Sequence, residues 1–112
     1  MSRPKLLFDD VKEICIQMVR GYDRRVSSRA NGLEMAPFDP VAIAAVEAAQ
    51  QTVGFDLTDA DRDKLIDAIM LSCTTDRHSF SYETLVPQIS KSDFYNQRNL
   101  FLMNIARFLL LV

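Results

Sequence analysis

Apolar positions along the chain recur at helical rather than alternating spacing, and each run is bounded by residues that start or stop helices. The first run is Val11, Ile14, Cys15, Met18, Val19, Tyr22 and Val26, at three- and four-residue steps that line one stripe of a helix. Asp10 followed by Glu13 has the form of a capping box, and Asn31-Gly32 supplies a stop. One helix is predicted from about Asp10 to Arg29. Met35 to Phe38 reads as a linker, after which Asp39-Pro40 is a helix entry with Asp as N-cap and Pro at the first helical position. The following run, Val41 to Val53, is alanine-rich with Ile43, Val46 and Ala49 facing one way, and Gly54 ends it. Its small side chains allow another helix to approach closely. Thr58 followed by Asp61 opens a third helix with the stripe Leu65, Ile66, Ile69 and Met70.

After a predicted loop from Thr74 to Ser79, the pattern changes. A short segment, Tyr82 to Gln88, precedes Ile89-Ser90-Lys91 and then a long helical run from about Ser92 to Leu110. Phe94, Phe101, Ile105, Phe108 and Val112 repeat along that run, with Tyr95, Leu102 and Leu109 alongside. A short helix, a polar turn and a long helix make a helix-turn-helix at about residues 81 to 110. Pro87 would end or kink the short helix where it has to stop. The expected fold is all-α: a single domain over residues 1 to 112, a bundle of about five helices ending in a helix-turn-helix with a long C-terminal helix.

Charge changes this picture more than composition does. The net charge of −2 speaks against nucleic acid, but Met1 to Gly32 holds seven Lys or Arg against four acids, Leu33 to Asp76 two against nine, and Arg77 to Val112 four against two. If the fold brings the basic ends together, they form a basic face. Arg20, Arg24, Arg25 and Arg29 crowd the end of the first predicted helix, where cations complement the helix dipole or serve as a phosphate-contacting patch. The acidic middle is a solvated face or a contact for a partner such as RNA polymerase.

Catalytic and metal chemistry find no foothold. Asp59, Asp61 and Asp63 alternate as in an EF-hand loop, but the glycine and closing glutamate of that loop are missing, so the acids read as helix-start residues. His78 is the only histidine and has no nucleophile or carboxylate at a suggestive spacing. The three glycines are not clustered, so no phosphate-cradling loop is present. Cys15 and Cys73 have no further Cys or His at ligand spacing and read as buried thiols, a disulfide staying open at this level. No enzyme activity, cofactor or small-molecule substrate is expected. The apolar stretch from Phe101 to Val112, interrupted by Asn104 and Arg107, falls short of a membrane span. Met1 to Pro4 lacks a signal-peptide layout, so a cytoplasmic location is expected.

In a helix-turn-helix, the start of the second helix enters the major groove. Here that start carries Lys91, Ser92, Asn96, Gln97 and Arg98, with Asn99 close by. Asn and Gln pair bidentately with adenine, and Lys and Arg suit guanine or phosphate. The same types also suit a hydrated helix face, and Ser92 suits an N-cap. The stretch Ser90-Lys91-Ser92-Asp93-Phe94-Tyr95-Asn96-Gln97-Arg98, followed by Leu100 to Leu109, resembles the C-terminal end of phage transcriptional regulators of the RinA and ArpU type. Val19-Arg20-Gly21-Tyr22-Asp23-Arg24-Arg25 is similar to the opening helix of such proteins. The resemblance implies a fold like the DNA-binding fourth region of sigma factors. It also implies a phage- or prophage-encoded DNA-binding regulator; in that reading the charge of the first helix, Arg20, Arg24 and Arg25, would grip the backbone of double-stranded DNA. Where the family places several arginines after the aromatic pair, this chain has Asn96, Gln97, Arg98 and Asn99, which implies weaker or partner-assisted binding, or loss of binding altogether. The alternative is a helical assembly protein that forms a homodimer or docks on another chain through Phe108-Leu109-Leu110-Leu111-Val112.

Overall fold

In the computed structural model, which describes residues 8–74, 86–87 and 89–111, five helical segments surround one apolar core, and no strand occurs among the described residues. They are α1 (Asp9–Arg20), α2 (Tyr22–Ala30), α3 (Asp39–Gln50), α4 (Asp59–Thr74) and α5 (Lys91–Phe108). Cys15 and Val19 of α1, Ala45, Val46 and Ala49 of α3, Leu65, Ala68, Ile69 and Cys73 of α4, and Phe94, Phe101, Leu102, Ile105 and Ala106 of α5 make the core, with Val53 and Val86. The broadest helix pair is α3 with α5. The buried alanines of α3 remove the bulk that would hold α5 away, as their pattern predicts.

The single helix expected from Asp10 to Arg29 is two helices, divided at Gly21. Gly21 keeps φ −85° but has ψ −5°, which leaves the regular helical path. Glycine is a poor helix residue because ordering it costs the most backbone freedom. A side chain there would also overlap Arg25 Nη1, whose guanidinium covers the backbone at Gly21. The Asp10–Glu13 capping box does not form. Helix α1 starts at Asp9 after Phe8, Asp10 accepts from the Val11 amide next to it, and Glu13 accepts from Gln17. Ile14, placed in the apolar stripe by spacing, is exposed, and Ile16 packs on the core instead.

Helix stops and starts follow ordinary backbone chemistry with two shifts of register. Helix α2 ends in a Schellman motif, with Leu33 N–H donating to Ser28 O (2.9 Å), Gly32 N–H to Arg29 O (3.2 Å) and Gly32 at φ +66°. Thr58 caps α4 by accepting from Asp61 N–H at 3.2 Å. Asp39, expected as an N-cap, lies inside the first turn of α3 and uses its carboxylate for Ala36 N–H (3.0 Å) and Arg25 Nε (3.1 Å). Ser90 rather than Ser92 caps α5, accepting from Asp93 N–H at 3.2 Å. Thr74, expected in a loop, closes α4. Most of the predicted short helix from Tyr82 to Gln88, and His78, lie outside the described residues. Pro87 stands in a turn closed by Ile89 N–H donating to Val86 O (3.2 Å), which brings the chain into α5.

Both cysteines are free and buried. No group of His, Cys, Asp and Glu among the described residues is arranged to hold a metal ion. None of their helices is long and apolar enough to cross a membrane.

Candidate nucleic-acid interface

Helix α5 presents its N-terminal end to solvent while its opposite side is core. Phe94, Phe101, Leu102 and Ile105 are fully buried, whereas Lys91, Ser92, Tyr95 and Asn96 are exposed. The Phe94 ring meets Tyr95 edge-on, with centroids 5.1 Å apart. That contact steadies Tyr95 at the rim of the exposed end. Ser90 satisfies one of the N–H groups that a helix start leaves open. Asp93, in the same turn, offsets the positive end of the helix dipole.

The polar cluster after Tyr95 divides between two tasks. Asn96 is exposed, and Asn99 is half-buried. Gln97 points to the loop after α3, where its Oε1 accepts from Gly54 N–H at 3.1 Å. One helical repeat further on, Asn104 Nδ2 donates to Thr52 Oγ1 at 3.0 Å, so both residues fasten α5 to the same loop. Arg98 turns toward the last turn of α4, where its Nε donates to Ser72 Oγ at 2.9 Å. Of the five residues predicted on this helix to read DNA, Lys91, Ser92 and Asn96 are free to face a ligand. Gln97 and Arg98 are also engaged in holding the helix in place.

The predicted arginine patch is spread over three locations. Arg20 leaves α1 toward the end of α4 and donates from Nε to Cys73 O at 2.9 Å. Arg25 is committed to the fold: its Nε meets Asp39 Oδ1 at 3.1 Å with both side chains nearly buried, and its Nη1 donates to Met18 O at 3.3 Å. Arg24 is exposed on α2. The division at Gly21 is the physical reason, because it changes the path of the chain between Arg20 and Arg24. In place of that patch, the fold brings together Arg20 and Arg98, which are 78 positions apart in sequence and meet at Ser72 and Cys73.

Burial pushes the Cys15 thiol up to about 11, and the neighbouring Cys73 adds to the effect. Burial also raises Cys73, against the opposing pull of Arg98 and Arg20. Both thiols are therefore protonated at neutral pH, as packing residues are and reactive ones are not. Tyr22 is raised to about 12 by burial and by its hydroxyl's 2.8 Å hydrogen bond to Glu47 Oε2.

Sequence alone could not have paired Arg20 with Arg98, since no local spacing links them. The roles of Gln97 and Asn104 had a signal, a seven-residue interval that puts two amides on one edge of α5. Compared with known proteins, the chain matches no family model, no curated protein and no solved structure.

Proposed function

We propose that the protein is a DNA-binding transcriptional regulator that inserts the N-terminal end of α5 into the major groove. One observation carries this: a helix held in place along its inner side presents Lys91, Ser92 and Asn96 together at its free end. Asn96 suits adenine, Lys91 suits guanine or phosphate, and Ser92 suits either base or backbone. Anchoring matters because a reading helix that rocks loses its register on the bases. The resemblance to the RinA and ArpU type supports the same reading. It extends it to a phage- or prophage-encoded protein; a cytoplasmic location goes with that reading, and the acidic middle of the chain is then a solvated face or a contact for a partner such as RNA polymerase.

The test is fluorescence anisotropy with random and genomic duplexes at two salt concentrations. Binding should weaken steeply with salt. Asn96→Ala should cost about 1–3 kcal/mol on a preferred sequence and much less on random DNA. Absence of binding at low salt would remove the proposal.

A second reading, assembly through α5, has its own observation. Leu100, Phe108 and Leu110 are exposed on or just beyond α5, Leu110 at 89%. Scattered apolar side chains are ordinary on a surface, but these three sit on one element and its end. Sedimentation of the wild type against Phe108→Ser separates the readings: a dimer lost in the variant with DNA binding intact would assign this surface to self-association alone.

A further inference from the structure

Arg20 and Arg98 reach the last turn of α4 from two different helices; each donates there through its Nε, and Arg98 also hydrogen-bonds the Cys73 thiol. Arg20 donates to Cys73 O and Arg98 to Ser72 Oγ, both at 2.9 Å, so the two guanidiniums stand on consecutive residues. Neither meets a carboxylate among the described residues, where the ion pair is Arg25 with Asp39. Their Nη atoms have no oxygen acceptor there either. One Nε–H of Arg20 goes to the Cys73 carbonyl and one of Arg98 to the Ser72 hydroxyl, so apart from the contact of Arg98 with the Cys73 thiol the Nη donors remain for an anion. Two like charges side by side repel, and an anion between them offsets that repulsion. The guanidinium fork matches the oxygens of phosphate better than any other cationic side chain does.

We infer that Arg20 and Arg98 form a binding site for a tetrahedral oxyanion at the C-terminal end of α4, occupied by a backbone phosphate of DNA. The site rests on the reading of α5 as a DNA-binding helix and deepens it. Arg98 lies seven residues after Lys91, on the same edge of α5 and about 10 Å further along its axis. The major groove is ~12 Å wide, so a helix whose first turn is inside the groove carries its second and third turns past the flanking backbone. Arg98 sits at that level, and Arg20 brings a second charge to it from α1. Lys91 then contacts the groove while the arginine pair fixes how far the helix enters.

Two probes test this, inorganic phosphate and a duplex. Arg20→Gln/Arg98→Gln is compared with wild type and with Arg20→Lys/Arg98→Lys, which keeps the charge and loses the fork. In the wild type, phosphate should raise the melting temperature above that in chloride of equal ionic strength, and the Gln pair should abolish the rise. On DNA, losing two phosphate contacts should narrow the affinity gap between wild type and the Gln pair by about tenfold between 50 and 200 mM salt. Arg20→Gln alone leaves the Arg98–Ser72 bond in place, so it should remain folded and show about half of that change in salt slope. A folded Gln pair with the wild-type phosphate response and the wild-type salt slope overturns the site. Duplex binding with a slope unmoved by these variants removes the site and leaves the DNA reading standing. A phosphate response without duplex binding does the reverse.

Discussion

Asn96 and Gln97 are adjacent amides with the same hydrogen-bonding groups, and the fold uses them in opposite ways. Asn96 faces water, whereas Gln97 is turned to Gly54 and becomes part of what holds α5. A helix rotates about 100° per residue, so neighbours in sequence face different surroundings. The same division runs further along the helix. Leu100 is 39% exposed and Phe101 is 1% exposed. A cluster of polar residues that looks like one recognition surface is therefore two surfaces, one that holds the helix and one that can meet a ligand.

The strongest way to break this comparison is to truncate both members of the apolar pair. Phe101→Ala should destabilise by about 3–5 kcal/mol in urea unfolding, through lost burial and the cavity left behind. Leu100→Ala should stay within about 0.5 kcal/mol. Similar values for both would mean that α5 is not oriented as described.

The inner side continues beneath Arg98 to the two buried thiols, and pH probes it. A thiol with a raised pKa stays protonated in the folded chain while the unfolded chain ionises from its ordinary value of 9.0. The unfolded state then holds fewer protons, so stability falls as pH rises through the window from 9.0 to about 11. The loss from Cys15 should be on the order of 2 kcal/mol, checked by urea midpoints across that range. Cys15→Ala should flatten the decline, although Cys73 and Tyr22 leave part of it in place.

Smaller effects sharpen the contrast between the two amides. Gln97→Ala leaves the Gly54 N–H, which is buried, without its acceptor and should cost about 1–2 kcal/mol of stability. Asn96→Ala should change stability by less than about 0.5 kcal/mol while weakening DNA binding. If Asn96→Ala destabilises as much as Gln97→Ala, the outward face has a structural task as well.

The end of α5 offers a change in the opposite direction. Leu111 N–H donates to Ala106 O (2.8 Å) and Leu110 N–H to Arg107 O (3.1 Å), the same Schellman pattern that ends α2. There the left-handed position belongs to Gly32, and here it belongs to Leu110 at φ +59°. A side chain in that conformation costs roughly 1–2 kcal/mol, partly offset by the freedom glycine would gain in the unfolded chain. Leu110→Gly should therefore stabilise by up to about 1 kcal/mol in thermal melting. Leu110 is also 89% exposed, and sedimentation of Leu110→Gly reports whether it makes a contact between chains.

Much of the helix content was legible because burial of one face imposes a period on the sequence. Leu65 and Ile69 in α4, Ile43, Val46 and Ala49 in α3, and Phe94, Phe101 and Ile105 in α5 all stand on the core side that spacing assigned them. Boundaries were less legible where two residues competed for one task. Ser90 and Ser92 are both good caps, and the choice fell to Ser90 because Val86 and Ile89 pack on the core before it. Gly21 interrupted an otherwise continuous stripe, and the stripe alone did not reveal that interruption.

Local pattern thus determined that the chain is helical, which residues are apolar enough to be core, and that α5 opens with a cluster of polar groups. Only the tertiary structure decided which of those groups are free. Whether Gln97 is free or holds Gly54, and whether Arg20 joins Arg24 or Arg98, depends on what a different segment brings within 2.9–3.1 Å. Periodicity carries information along one helix, whereas hydrogen bonds and charge pairs act through space between segments that sequence places far apart.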